Sequence, residues 1–259
     1  MSGTMRRIAG AVLFIPVVAA VLMSQAIAQW LLLALAAIMV LEFSTMVSLP
    51  PALRAALVMD FVLFALPAPL FARLEATAGM SLFPVVLALA LLVVILIWST
   101  RRDRMAALFV GVMIACILAA RGMLGLADGH LMLLAIAAVI ASCDVAAYFV
   151  GRHVGGPRLA PLISPNKTRS GALGGAAGAV LASLLLATIS WLSPVEAVAG
   201  GVMLAVLAQA GDLFESALKR KMGVKDSGRL IPGHGGFLDR FDGYLLTLPA
   251  VYLYILAII

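Results

Sequence analysis

The sequence predicts an all-α integral membrane protein, a polytopic helical bundle of about nine transmembrane helices with its N-terminus cytoplasmic. Three observations carry that expectation. Of 259 residues, 64% are hydrophobic and 12% charged, with a mean hydropathy of +1.15, which is too apolar for a soluble domain. The apolar residues come in long Leu/Ala/Val/Ile runs approaching the roughly 20 that a helix needs to cross hydrocarbon, not in the short alternating strands of a barrel. The cations, finally, are distributed very unevenly between the two faces that such a bundle would have.

Taken in order, the spans are expected over Ile8 to Met23, Ile27 to Val47, Ala52 to Phe71, Ser81 to Trp98, Met105 to Gly122, Leu131 to Val150, Gly171 to Trp191, Val195 to Gly211 and Tyr244 to Ile259. The uncharged stretch from Ile8 to Leu41 is too long for one crossing, so a tight turn is expected at Ser24-Gln25. Several spans are short, which calls for tilt or local thinning of the bilayer. Arg6-Arg7 before an apolar run, with Ala26-Ile27-Ala28 beyond it, imitate a secretory signal. Because more membrane sequence follows, a retained first span is expected.

With the N-terminus inside, sixteen of the eighteen Lys and Arg fall on the cytosolic side, leaving Arg73 and Arg121 outside. Both polar loops, Arg152 to Ser170 and Asp212 to Asp242, then face the cytosol. The net charge of +6 arises in those loops and fits anionic lipid headgroups. No aromatic-basic motif for nucleic acid is present. Cys116 and Cys143 lack CxxC spacing and read as packing residues. The chain reads as a single membrane domain over 1–259, with 1–128 mainly scaffold and 129–259 the half that carries chemistry. Asp60, in the middle of the third span, is expected to hold an interior hydrogen bond.

The polar residues are concentrated. Five of the twelve carboxylates and six of the eighteen Lys and Arg lie between Asp212 and Asp242. If helix continues from the eighth span through Lys221, then Asp212, Glu215, Ser216 and Lys219 share one face at i, i+3, i+4 and i+7. A Glu215–Lys219 ion pair at the membrane surface is the simpler reading of that spacing. Further on, Gly233, Gly235 and Gly236 flank His234 and let backbone N–H groups approach a ligand. His234 reads as structural or as a hydrogen-bond donor. Asp239 and Asp242, three apart, would suit Mg2+ together with Asp212, although Asp239 could equally be a helix N-cap. Lys219, Arg220, Lys225, Arg229 and Arg240 could neutralise a polyphosphate or simply face anionic lipid. Upstream, Asp144 near a span end should face a wet interior, because an acid in hydrocarbon costs roughly 2.5 to 3.5 kcal/mol. Ser164-Pro165 followed by Lys167-Thr168 would suit a phosphate or form a plain turn.

Ser216, Lys219-Arg220, four residues, Lys225-Asp226, five residues, Pro232-Gly233-His234-Gly235-Gly236, then Asp239-Arg240 with Asp242, resembles the signature of phosphatidate cytidylyltransferases, or CDP-diacylglycerol synthases. The resemblance is strong from Gly211 to Asp242 and good from Asp144 to Thr168. Val145, Gly156 and Ser170 depart from the usual pattern. It implies a homodimeric inner-membrane enzyme that takes CTP and phosphatidate to CDP-diacylglycerol and pyrophosphate with Mg2+, a second cation being allowed for. By position it implies catalytic roles for Asp212, Lys219 and Asp239, metal contacts from Asp144, Asp212, Asp239 and Asp242, and substrate contacts from Ser164, Lys167, Thr168, Lys225, His234, Gly235 and Gly236. A cytidylyltransferase for another lipid phosphate, a CTP-dependent lipid-alcohol kinase, a secondary transporter using Asp60 and Asp144, and a noncatalytic scaffold are the competing readings.

Overall fold

Capping residues and prolines set where the helices begin and end. The structure, a computed structural model, describes residues 14–78, 83–101, 103–190, 192–228, 230–231 and 235–258. In chain order the helices are α1 (Phe14–Met23), α2 (Gln25–Met46), α3 (Pro51–Ala65), α4 (Ala68–Ala78), α5 (Phe83–Arg101), α6 (Arg104–Met123) and α7 (Gly129–Val154). A hairpin of β1 (Arg158–Ala160) and β2 (Ser164–Thr168) follows. Then come α8 (Arg169–Ala187), α9 (Pro194–Lys221), the single turn α10 (Leu238–Phe241) and α11 (Tyr244–Ile258).

The expected break between the first two spans falls at Ser24, whose side chain caps α2 by accepting from the Ile27 N–H. Asp103 caps α6 by accepting from the N–H groups of Met105 (3.1 Å) and Ala106 (3.0 Å). Thr168 caps α8. Ser193 and Glu196 form a full capping box at the start of α9, with Pro194 in the first turn.

Among the described residues, five helices are long and apolar enough to cross a membrane: α2, α6, α7, α8 and α9. A sixth span results if α3 and α4 are counted as one. The expected third span, Ala52 to Phe71, is not a continuous helix. Helix α3 stops at Ala65, and the chain bends by 109° before Pro69–Thr77. Pro67 explains the stop, because its ring cannot continue the helical hydrogen-bond ladder and the residue before it is pushed out of helical geometry.

Helix α6 is the most deeply buried span, with Ala106, Phe109, Val110 and Met113 at most 1% exposed. Phe109 stacks on Phe43 of α2 (centroids 5.6 Å, planes 5° apart) and tilts against Phe214 of α9 (5.2 Å). Three helices are thereby locked in one layer, each aromatic pair worth about 0.5 to 1.5 kcal/mol beyond area burial. Helix α8 lies between α7 and α9. Its glycines allow the close approach to α7: a Cβ on Gly178 would come within 2.8 Å of the Ser142 carbonyl oxygen. Both cysteines are buried, as a packing role requires. Asp60 is buried at 2% exposure, and its Oδ2 has no hydrogen-bond partner, so the expected interior bond is not made by that oxygen.

Candidate active site

Helix α9 runs to Lys221, ten residues past the expected end of its span at Gly211. That continuation puts Asp212, Glu215, Ser216 and Lys219 on successive turns of one face. Glu215 is fully buried and Lys219 is 8% exposed. Lys219 Nζ donates to Glu215 Oε2 and to Asp239 Oδ1, both at 2.6 Å. The i, i+4 pair is therefore present, but it lies inside the protein as part of a three-member network. Removing one member of such a network strands a buried charge, at a cost of about 3 to 5 kcal/mol.

Asp239 lies in the first turn of α10. It does not cap that helix: the cap position is Phe237. Its carboxylate turns back onto the preceding loop and accepts from the N–H groups of Ser227 (3.1 Å to Oδ1, 3.0 Å to Oδ2) and Gly236 (2.7 Å). Burial alone would raise the Asp239 carboxyl, but the hydrogen bond from Lys219 and the two N–H groups hold it below its ordinary value. Every oxygen of this acid is thus engaged by the protein.

Asp212 faces a different partner. It pairs with Lys167 of β2, and its Oδ1 accepts from Ser216 Oγ at 3.3 Å. The hairpin that carries Lys167 is antiparallel, with Arg158 opposite Thr168 and Ala160 opposite Ser164. Pro165 sits within β2, so the segment that could have formed a plain turn is an extended strand. Arg220 ties the hairpin to α9 by donating to the Ile163 carbonyl at 3.3 Å. The Thr168 hydroxyl is occupied in capping α8, accepting from the Gly171 N–H at 3.0 Å. Lys225 is exposed in the loop, and Gly235 has a positive φ of 83° that glycine alone adopts easily. His234, Gly233, Pro232 and Arg229 lie outside the described residues.

Asp242 joins the two groups of charges. It follows α10, and its Oδ1 accepts from the Gly243 N–H at 2.7 Å. Burial pushes its carboxyl up to about 7, and the negative charges of Asp212 and Asp144 add to the rise. Asp144, from the accessible end of α7, Asp212, from α9, and Asp242 therefore crowd one region that also feels Lys219. Asp212 is held by Lys167 and Ser216 and adds to the charge felt by Asp242, whereas Asp239 is held by Lys219, Ser227 and Gly236.

Mutual repulsion among three hard oxygen donors is the condition that a divalent cation would relieve, and in that respect the residues fit Mg2+. Among the described residues, no three acidic, His or Cys side chains close on a single point as ligands. Lys167 stands in the position of a countercharge.

One functional candidate was not legible in the sequence. Glu42 of α2, 6% exposed, accepts from the N–H groups of Phe237 (3.0 Å) and Leu238 (2.9 Å) and from Ser227 Oγ (3.3 Å). A lone acid near the end of an apolar span resembles any interfacial charge, and no local spacing connects it to a loop nearly two hundred residues away.

Comparison with known proteins adds to this geometry. A family model described as "Cytidylyltransferase family" matches residues 4–258. A phosphatidate cytidylyltransferase of Brucella suis biovar 1 (strain 1330) is 53% identical over 122 residues, 45% of this chain and 44% of that protein. Proteins of the same name are 48% identical over 120 residues in Bacillus subtilis (strain 168) and 42% identical over 135 residues in Synechocystis sp. (strain ATCC 27184 / PCC 6803 / Kazusa). These cover 44% and 51% of this chain, and 43% and 45% of the relatives. The matched stretch therefore spans less than half the length of each relative.

Proposed function

The chain belongs to the cytidylyltransferase family, and from that premise we propose that it transfers the CMP group of CTP to phosphatidate, giving CDP-diacylglycerol and pyrophosphate. The observation that carries this reading is the mutual repulsion of Asp144, Asp212 and Asp242, with Lys167 paired to Asp212 and Lys219 nearby, in an integral membrane bundle. Cations and acids so placed suit a reaction between two anions, one of them anchored in lipid.

A phosphate oxygen of the lipid attacks the α-phosphorus of CTP, a new P–O bond forms, and the bond to the bridging oxygen breaks as pyrophosphate leaves. No protein nucleophile is required, so catalysis is positioning and electrostatics. Asp144, Asp212 and Asp242 would hold Mg2+, which would screen the phosphate charges when bound. Lys167, paired with Asp212, would be the cation placed to meet a phosphate there. Lys219 keeps its charge through Glu215 and Asp239 and offers a fixed positive field. Asp239 anchors the loop of Gly235 and Gly236 through the Gly236 N–H, and the bare backbone of the two glycines can lie against the nucleotide. A cytosolic site in the inner membrane, nine spans and a homodimer belong to the same proposal. The cytosolic orientation is supported by the bias of Lys and Arg; the count of nine spans rests on the hydropathy pattern, and the inner membrane and the homodimer rest on the family resemblance.

The test uses purified full-length chain with cytidine-labelled CTP, phosphatidate and Mg2+. Label is expected in CDP-diacylglycerol, and Asp212→Asn is expected to lower the rate about 100-fold or more, as for loss of a group that steadies transition-state charge. Release of CDP with phosphorylation of a lipid alcohol would indicate a kinase instead. Absence of any lipid product would overturn the proposal.

A further inference from the structure

The Glu42 carboxylate is held in a pocket of backbone. Its Oε1 accepts from Phe237 N–H, and its Oε2 accepts from Leu238 N–H and Ser227 Oγ. The loop closes around it where side chains are missing. A Cβ on Gly236 would lie 2.7 Å from Oε1, and a Cβ on Gly228 would lie 2.8 Å from the carboxyl carbon. Ser227 is shared, since its N–H goes to Asp239 and its hydroxyl to Glu42. Two carboxylates thus gather the three consecutive peptide N–H groups of residues 236–238 and that of Ser227: Ser227 and Gly236 on Asp239, Phe237 and Leu238 on Glu42.

The neighbour of Glu42 gives this clasp its reach. Phe43 stacks on Phe109, which packs on Phe214 of α9, the residue before Glu215. Helix α2 is therefore fixed to α9 through the rings and to α10 through the carboxylate. The separation between Asp212 on α9 and Asp242 after α10 is set partly through α2, a helix of the half that the sequence marks as scaffold.

We propose that Glu42 is a positioning residue for the reaction: by clasping Ser227, Phe237 and Leu238 it holds the α10 turn, and with it Asp239 and Asp242, in register with the acids of α7 and α9. The catalytic part of this inference rests on the proposed cytidylyltransferase reading, whereas the clasp itself does not. A carboxylate is required, because three donors converge on two acceptor oxygens and an amide would set an N–H against an N–H.

The test compares full-length parent, Glu42→Gln and Glu42→Asp in lipid vesicles by amide hydrogen exchange and by steady-state kinetics. In Glu42→Gln, exchange across 224–240 is expected to rise about tenfold or more, the scale of losing bonds to a charged acceptor. Exchange in α6 and α8 stays as in the parent. At saturating CTP and phosphatidate kcat is expected to fall about tenfold or more, while KM for phosphatidate changes much less. Glu42→Asp, which keeps both acceptors, recovers part of kcat. Unchanged loop exchange, or equal loosening of every helix, overturns the clasp. A loosened loop with parental kcat overturns its positioning role. If the parent itself makes no CDP-diacylglycerol, the reaction reading fails while the exchange result still judges the clasp. Should Glu42→Gln fail to fold, Ser227→Ala removes one donor to the same carboxylate and must loosen the same segment, and parental exchange there overturns the inference.

Discussion

Lys219 and Asp242 show how differently two ionisable groups of one site are handled. Lys219 has two carboxylates at 2.6 Å and a settled charge. Asp242 has one N–H and repelling neighbours, so its carboxyl rises to about 7 through burial first and Asp212 second. A carboxyl raised on folding favours the folded state only while protonated. Its contribution is fully present below the unfolded value near 3.9 and is lost as pH climbs through about 7. In buffer free of divalent ions, Asp242→Asn should therefore melt like the parent near pH 4 and above it at pH 8. Thermal unfolding across that range checks this, and a gap that stays constant with pH would contradict it. Glu42 and Asp239 teach a further lesson at this scale. Sequence spacing finds acids that could meet a ligand, but it cannot reveal that the oxygens of Asp239 are already taken by Lys219, Ser227 and Gly236, because those donors are placed by a loop with no periodicity.

Among elements, α9 was the most legible, since the i, i+3, i+4, i+7 spacing of its polar residues foretells helix beyond the apolar run. The hairpin was not: β1 has three residues, and Ser164-Pro165 carries the chemistry of a turn while standing in a strand. The bend after α3 was missed because hydropathy continues across Pro67, although the proline itself marks it. Elements are also tied end to end by single pairs. Lys221 at the end of α9 donates to Asp103 before α6 at 2.6 Å. Burial would raise the Asp103 carboxyl, but Lys221 and the capped N–H groups of Ala106 and Met105 lower it overall. A lowered carboxyl stabilises the fold above its unfolded value near 3.9, and that support disappears as pH falls through the folded value. Asp103→Asn retains a capping side chain and should be less stable than the parent at pH 7 by about 1 kcal/mol or less, the two converging in strong acid. Denaturation in detergent at pH 7 and pH 2.5 measures the difference.

For the whole molecule, membrane residence and helical architecture were open to reading from composition alone, whereas the number of crossings was not, because short helices such as α11 and bent pairs such as α3 with α4 sit at the boundary of what can span. Orientation can be checked directly. With Cys116 and Cys143 replaced by Ala, single cysteines at Lys225 and at Arg73 should label from opposite sides of sealed inverted vesicles, the former from the cytosolic face. Labelling of Arg73 from the cytosolic face and Lys225 from the other would reverse the assignment, and labelling of both from one side would overturn the expected topology.

Helix α9 is 28 residues without interruption, about 42 Å of rod against a hydrocarbon core of about 30 Å. Its polar end cannot shift independently of its apolar shaft. Any tilt of the shaft therefore carries Asp212, Glu215 and Lys219 together as one rigid body, and Arg220 draws the hairpin with them. Membrane thickness is thereby coupled mechanically to where the polar end of α9 stands relative to the bilayer surface.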